Sequence, residues 1–324
     1  MSLVGKVSDL IRGRYAPSPT GALHLGNLRT ALLAWLFARC QGGRFVLRVE
    51  DLDRPRVRPG ATASMLADLR WLGLDWDEGP DVGGPYAPYT QSERQELYAT
   101  YLQRLQEAGL VYPCYCSRAE IARIASAPHG SEGPRYPGTC RTLSARQRRQ
   151  HEAAGRRPSL RFRVPAERIV AFDDLLAGPH SQQVQQAVGD FILRRSDGIF
   201  AYQFAVVVDD GLMGINQIVR GSDLLASTAR QILLFEALGF PVPAFAHVSL
   251  WLDSTGQRLS KREQSAGLDP LRAGGATPEQ VVGQLAASCG LAEPGEVLSA
   301  IRLAERYRGS GCDIMRKRLV NRHP

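Results

Sequence analysis

Arg14-Tyr15-Ala16-Pro17-Ser18-Pro19-Thr20-Gly21-Ala22-Leu23-His24-Leu25-Gly26-Asn27 places a breaker-rich turn between two apolar segments. Gly13 to Ala16 predicts a short strand, and Pro17, Pro19 and Gly21 end it. Beyond the turn, Leu25, Leu28, Leu32, Trp35 and Leu36 recur at helical spacing up to about Arg39, so a helix follows. Arg44 to Val49 (RFVLRV) reads as a second strand, with Glu50-Asp51-Leu52-Asp53 at its end. Strand, helix and strand within about 40 residues make a parallel βαβ unit. A turn that feeds a helix N-terminus offers backbone N–H groups to phosphate oxygens. His24 can donate to an anionic oxygen, and Gly26 lets a ligand come close to the backbone.

Further along, Ala61 to Leu72 and Ser92 to Ala108 read as helices, and Val111-Tyr112 leads into a cysteine cluster. Ser126 to Gly133 (SAPHGSEG) reads as a mobile loop. Leu160–Val164, Ile169–Phe172 and Phe191–Arg195 read as strands of an inserted, partly antiparallel unit. Arg220-Gly221-Ser222-Asp223 forms a strand-to-helix junction. Ser222 is the expected cap of a helix that buries Leu225, Ala229, Ile232, Leu233 and Leu238, and Gly239 and Pro241 stop it. The basic stretch Met315-Arg316-Lys317-Arg318 is expected to be a poorly ordered tail.

A chain of 324 residues, 44% hydrophobic, can bury one large core with a smaller unit attached. No run of 18 apolar residues is present, and the opening MSLVGKVSDLIR lacks a secretory core. The expected address is the cytoplasm, with no membrane partner, and the chain is expected to act as a monomer. A formal charge of +8 favours an anionic partner such as a nucleotide or nucleic acid. The run Arg141 to Arg157 carries Arg141, Arg146, Arg148, Arg149, Arg156 and Arg157 against one acid, Glu152. Such a run serves equally as a track for an RNA backbone or as a solvated helix face.

Three of the six cysteines, Cys114, Cys116 and Cys140, fall within 27 residues, which in a reducing compartment reads as metal ligation. A structural zinc site wants four ligands, and His129 is the ordinary fourth candidate. Cys40, Cys289 and Cys312 have no ligand near them in sequence and read as ordinary thiols.

The fourteen residues from Arg14 to Asn27 resemble, without a gap, the first signature of the glutamyl- and glutaminyl-tRNA synthetases. The motif written HIGH in that family stands here as His24-Leu25-Gly26-Asn27, with Asn27 where a histidine is usual. Arg258-Leu259-Ser260-Lys261-Arg262 resembles the second signature, KMSKS, and puts Lys261 at the place of its active lysine. The resemblance runs from about Gly13 to Arg262.

It implies an α/β fold of class I aminoacyl-tRNA synthetase type, built on a Rossmann-like nucleotide-binding sheet. An inserted, acceptor-binding-like subdomain would hold zinc, and a short helical part would close the chain. The implied division is 1–110 and 191–250 for the two halves of the catalytic unit, 111–190 for the insert, and 251–324 for the lysine loop and helical end.

The resemblance assigns glutamate to Arg14, Tyr15, Ala16, Pro17, Ser18, Glu50, Tyr202 and Arg220, with the arginines facing carboxylate and Glu50 facing the ammonium. ATP, with Mg²⁺, falls to His24, Gly26, Asn27 and Lys261, of which Lys261 and His24 would act in catalysis. The Cys114-Tyr115-Cys116 and Tyr136-Pro137-Gly138-Thr139-Cys140 spacing resembles a small branch of the family in which a tyrosine oxygen completes a structural Zn²⁺ site, so Tyr136 competes with His129.

Only 63 residues follow Lys261, too few for the large helical anticodon-binding region of a full synthetase. That small branch activates glutamate without tRNA and attaches it to the queuosine base at the wobble position of tRNA(Asp). The competing expectations are a truncated synthetase that charges tRNA(Glu) and a non-catalytic tRNA-binding paralogue.

Overall fold

The structure is a computed structural model, and it describes residues 10–117, 119–121, 135–249, 251, 267–309 and 311–321. In chain order the elements are β1 (Arg12–Tyr15), α1 (Leu25–Arg39), β2 (Arg44–Leu47), α2 (Ala61–Trp71), α3 (Gln95–Glu107), β3 (Val111–Cys114), α4 (Ala145–Ala153), β4 (Ser159–Phe162), β5 (Ile169–Asp174) and β6 (Gly178–Gln183). They continue with α5 (Val184–Ala187), β7 (Ile192–Arg194), α6 (Tyr202–Leu212), β8 (Gln217–Gly221), α7 (Thr228–Leu238), β9 (Ala244–Val248), α8 (Leu268–Ala273), α9 (Pro278–Ser288), α10 (Ala300–Arg306) and α11 (Gly311–Val320).

The expected βαβ unit is β1-α1-β2, and its strands pair in parallel, Arg14 opposite Val46 and Tyr15 opposite Leu47. β8 joins the free edge of β1 and β9 joins β8, both in parallel, which gives the order β2-β1-β8-β9. The order departs outward from β1 on both sides, so the carboxyl ends of β1, β2 and β8 open onto one crevice. Every residue of α1 from Ala31 to Ala38 is buried. Helix α1 is covered twice, by the sheet on one side and by α9 and α10 on the other, and a doubly covered helix buries all its faces.

A separate antiparallel sheet runs β3-β4-β7, and β5 pairs with β6 as a hairpin from Ile169 opposite Gln183 to Asp174 opposite Gly178. Strand β7 extends that sheet beyond residue 190, where the sequence placed the end of the insert. The hairpin leans on the parallel sheet, where the Leu175 N–H donates to the Phe245 carbonyl at 2.8 Å.

Two sequence expectations change. Ser222 does not cap α7: it opens a 3-10 turn, Ser222–Ser227, and α7 begins only at Thr228. Thr228 is kept at the helix start because its hydroxyl accepts from Arg220. Met315 to Arg318 is not a loose tail but part of α11, which buries Cys312, Met315 and Leu319. In that docking the Cys312 and Cys40 sulfurs come within 2.6 Å, a neighbour that sequence distance hides. The expected loop at Ser126–Gly133 lies outside the described residues.

Buried charge ties the site-bearing elements together. Asp209 and Asp210, both on α6, accept from Arg94 at 2.7 Å and Arg48 at 2.8 Å, and Tyr98 and Gln91 complete Asp209. Removing one member of a buried, hydrogen-bonded ion network costs about 3–5 kcal/mol, so α3, β2 and α6 are held in one arrangement. That arrangement fixes Tyr202, the first residue of α6.

Candidate active site

The strand-to-helix turn after β1 builds one wall of a cavity of about 780 Å³. The side chain of His24 caps α1, accepting the Asn27 N–H on Nδ1 at 3.2 Å. That bond leaves the ring proton on Nε2, and half-burial lowers the pKa of the ring. His24 is therefore a neutral donor suited to an anionic oxygen. A side chain at Gly26 would place its Cβ 3.1 Å from the His24 ring, so the glycine makes room for the capping histidine.

The opposite wall comes from the ends of β2, α6 and β8. Strand pairing continues past β1: the Arg48 N–H bonds to Tyr15 O and the Glu50 N–H to Pro17 O, each at 3.0 Å, which sets Glu50 at the cavity. Burial pushes the Glu50 carboxyl up to about 7, against the pull of Arg48 at 3.1 Å and of Arg14. Arg14 is held by Asp210 at 3.3 Å. Burial raises the Tyr202 phenol, and Arg220 is 4% exposed with its guanidinium fixed on three side chains described below.

Arg14, Tyr15, Ala16, Pro17, Ser18, His24, Gly26, Asn27, Glu50, Tyr202 and Arg220 all line this one cavity. Tyr15 contributes its ring, since its hydroxyl is taken by the Asn27 carbonyl at 3.2 Å. Lys261 lies outside the described residues. The cavity also has members that the sequence reading passed over. Arg29, on the turn of α1 after the capping histidine, sits over the Trp251 ring at 5.4 Å and donates to the Ser249 carbonyl, and Asp223 also lines the cavity. The sequence signal for Arg29 was a charged residue on a helix that is mostly apolar.

The cations Arg14 and Arg220, the buried carboxylate of Glu50 and a helix-capping turn converge here. The cations suit two carboxylates or phosphates, the carboxylate suits an ammonium, and the turn suits a polyphosphate. An amino acid beside a nucleoside triphosphate meets all of these demands.

At a distance from the cavity, the sulfurs of Cys114, Cys116 and Cys140 lie within 4.8 Å of one another. The Tyr136 hydroxyl joins them, 3.3 Å from Cys114 Sγ and 4.0 Å from Cys116 Sγ, while His129 lies outside the described residues. The Arg161 guanidinium stands 3.8 Å over the Tyr136 ring. Three convergent thiols with no carboxylate among them form a soft donor set that could hold a metal. None of the four residues lines the cavity, so a metal here would brace the fold rather than take part in chemistry.

Helix α4 carries Arg146, Arg148 and Arg149 of the basic run and has no buried residue. Two of the run's arginines are already engaged: Arg141 with Asp190 at 2.8 Å and Arg156 with Glu120 at 3.1 Å.

The family of class I tRNA synthetases (E and Q), catalytic domain, matches residues 10–292. The chain belongs to that family. Among class I synthetase relatives, the glutamyl-Q tRNA(Asp) synthetase of Symbiobacterium thermophilum is 60% identical over 89% of this chain and 89% of its own length. A glutamate–tRNA ligase of Halorhodospira halophila is 48% identical over 92% of this chain and 62% of its own length. The crystal structure of a glutamate tRNA ligase from Elizabethkingia meningosepticum in complex with its amino acid superposes with a TM-score of 0.80 at 32% identity. It spans 92% of this chain, and the chain spans 64% of that synthetase. The synthetase fold expected from the first signature is thereby established. Among the described residues, no helix is long and apolar enough to cross a membrane.

Proposed function

We propose that this chain activates glutamate with ATP, without needing tRNA, and transfers the glutamyl group to the queuosine base at the wobble position of tRNA(Asp). The observation that carries the first half is the charge pattern of the cavity: Arg14, Arg220 and Glu50 gather on one wall, and the His24-capped helix forms the other. Support for the acceptor comes from the relatives named glutamyl-Q tRNA(Asp) synthetase. They are 60%, 53% and 54% identical, against 46–50% for those named glutamate–tRNA ligases.

Arg220 pairs with the side-chain carboxylate, Glu50 takes the ammonium, and Arg14 steers the α-carboxylate toward the α-phosphorus of ATP. One carboxylate oxygen bonds to that phosphorus as its bond to the bridging oxygen of pyrophosphate breaks. ATP is used with Mg²⁺, while His24 donates a hydrogen bond to a phosphate oxygen and Lys261 balances charge there. A hydroxyl of the queuosine cyclopentenediol then attacks the glutamyl carbonyl, and AMP leaves. Catalysis is positioning and charge balance, with no enzyme nucleophile.

The test is transfer of labelled glutamate to tRNA(Asp) with queuosine, to the same tRNA without it, and to tRNA(Glu), with nuclease mapping of the label. The expected result is label only on queuosine-containing tRNA(Asp), in the anticodon fragment. Label at the 3′ end of tRNA(Glu) would replace this acceptor with the charging reaction.

The cysteine cluster holds one structural Zn²⁺ in this reading, through Cys114, Cys116, Cys140 and the Tyr136 oxygen. Protein purified without chelator should carry about one zinc per chain, and Cys116→Ser should lose it and melt at lower temperature. Unchanged melting of the parent after metal removal would refute a bracing role.

A further inference from the structure

The Arg220 guanidinium is held by three side-chain acceptors: Nε donates to His247 Nε2 at 2.9 Å, Nη1 to Gln231 Oε1 at 2.6 Å and Nη2 to Thr228 Oγ1 at 2.9 Å. The Gln231 amide is itself oriented, since its Nε2 donates to Gln203 Oε1 at 2.6 Å. The contact with His247 is conditional in a way the others are not. Nε2 can accept from Arg220 only as a lone pair, so the ring proton must sit on Nδ1. Nδ1 lies 2.5 Å from Asp174 Oδ2, and both side chains are fully buried.

Asp174 is locked as tightly. Its other oxygen, Oδ1, accepts the backbone N–H of Leu176 at 3.0 Å, Ala177 at 2.9 Å and His247 at 3.0 Å, which leaves Oδ2 for the imidazole. Burial alone would raise this carboxyl, but the bonds from His247 and the backbone outweigh it and hold it below its usual range. Burial lowers the His247 pKa, so the ring stays neutral. Asp174 ends β5, His247 lies on β9 and Arg220 on β8, so the chain of bonds runs from the inserted hairpin through the parallel sheet to the cavity. Neither Asp174 nor His247 lines the cavity.

We infer that Asp174 and His247 are positioning residues for substrate selection: Asp174 sets the tautomer of His247, and His247 aims Arg220 at the substrate's side-chain carboxylate. This inference rests on the reading of Arg220 given above. It places one anchor of the amino-acid site on the hairpin that the acceptor-binding-like insert contributes.

Asp174→Asn is the discriminating variant. The asparagine oxygen keeps the three backbone N–H bonds, so its NH₂ group faces His247 Nδ1 and drives the ring proton to Nε2, against the Arg220 Nε–H. ATP–pyrophosphate exchange by the full chain should show a KM for glutamate raised about tenfold or more, with kcat and the KM for ATP close to the parent's. ¹⁵N spectra of the histidines should show the Nδ1–H tautomer of His247 in the parent and its loss in the variant. His247→Asn removes the acceptor and should match Asp174→Asn, whereas His247→Gln, whose longer amide can offer its oxygen to Arg220, should recover most of the affinity.

Arg220→Lys is the control for the underlying reading. If it raises the KM for glutamate while Asp174→Asn and His247→Asn leave it at the parent value, the relay is refuted and the role of Arg220 stands. If Arg220→Lys itself leaves that KM unchanged, the reading of Arg220 fails. Melting curves identify a variant that does not fold, and the isosteric Asp174→Asn, with its backbone bonds kept, carries the comparison in that case.

Discussion

Arg220→Ala is expected to lower glutamate-dependent ATP–pyrophosphate exchange at subsaturating glutamate by about a thousandfold, or about 4 kcal/mol. The side chain is 4% exposed, and its loss removes both the cation and the donor that Gln231 Oε1, Thr228 Oγ1 and His247 Nε2 accept from. A glutamate carboxylate entering such a site gives up its water and meets no charge in return. The loss should fall mainly on the KM for glutamate, with ATP binding kept, because the nucleotide turn lies on the other wall around His24. A change of less than about fivefold would remove Arg220 from the recognition of substrate.

Lys261→Ala is expected to reduce adenylate formation by about a hundred- to a thousandfold while calorimetry finds glutamate binding intact. Negative charge gathers on the non-bridging oxygens as the carboxylate attacks the α-phosphorus, and a lysine that meets it there lowers the barrier without touching the amino acid. This effect is thus the reverse of the one at Arg220, a fall in kcat rather than a rise in KM for glutamate. Equal single-turnover rates of adenylate formation in parent and variant would end the catalytic role of Lys261.

The two variants test different kinds of inference. Lys261 rests on the motif Arg258 to Arg262 alone, whereas Arg220 rests on a motif position together with its place in the cavity and its partners.

What the amino-acid sequence by itself determined is the part governed by local rules. The turn from Pro17 to Gly21, the helix from Leu25 to Arg39 and the strand from Arg44 follow from breakers and periodicity, and they appear within a residue or two of where those signals place them. The cavity residues were legible because most of them are close in the chain: Arg14 through Asn27 is one continuous stretch, Glu50 follows β2 and Arg220 sits at the end of β8.

Tertiary structure alone decided the remainder, because it depends on meetings between distant residues. Nothing local to Asp174 or His247 marks them, yet 73 positions apart they share a proton site and hold Arg220. Asp210 sets Arg14 across 196 positions, and Cys40 meets Cys312 across 272. Ser222 had a cap's chemistry, but the Arg220 bond to Thr228 fixed the helix start six residues later. The basic stretch from Met315 had the composition of a loose tail, and it is helical with Cys312, Met315 and Leu319 buried in the same core cluster as α1. Charge and spacing along a chain fix which groups are available; burial and packing fix which of them meet.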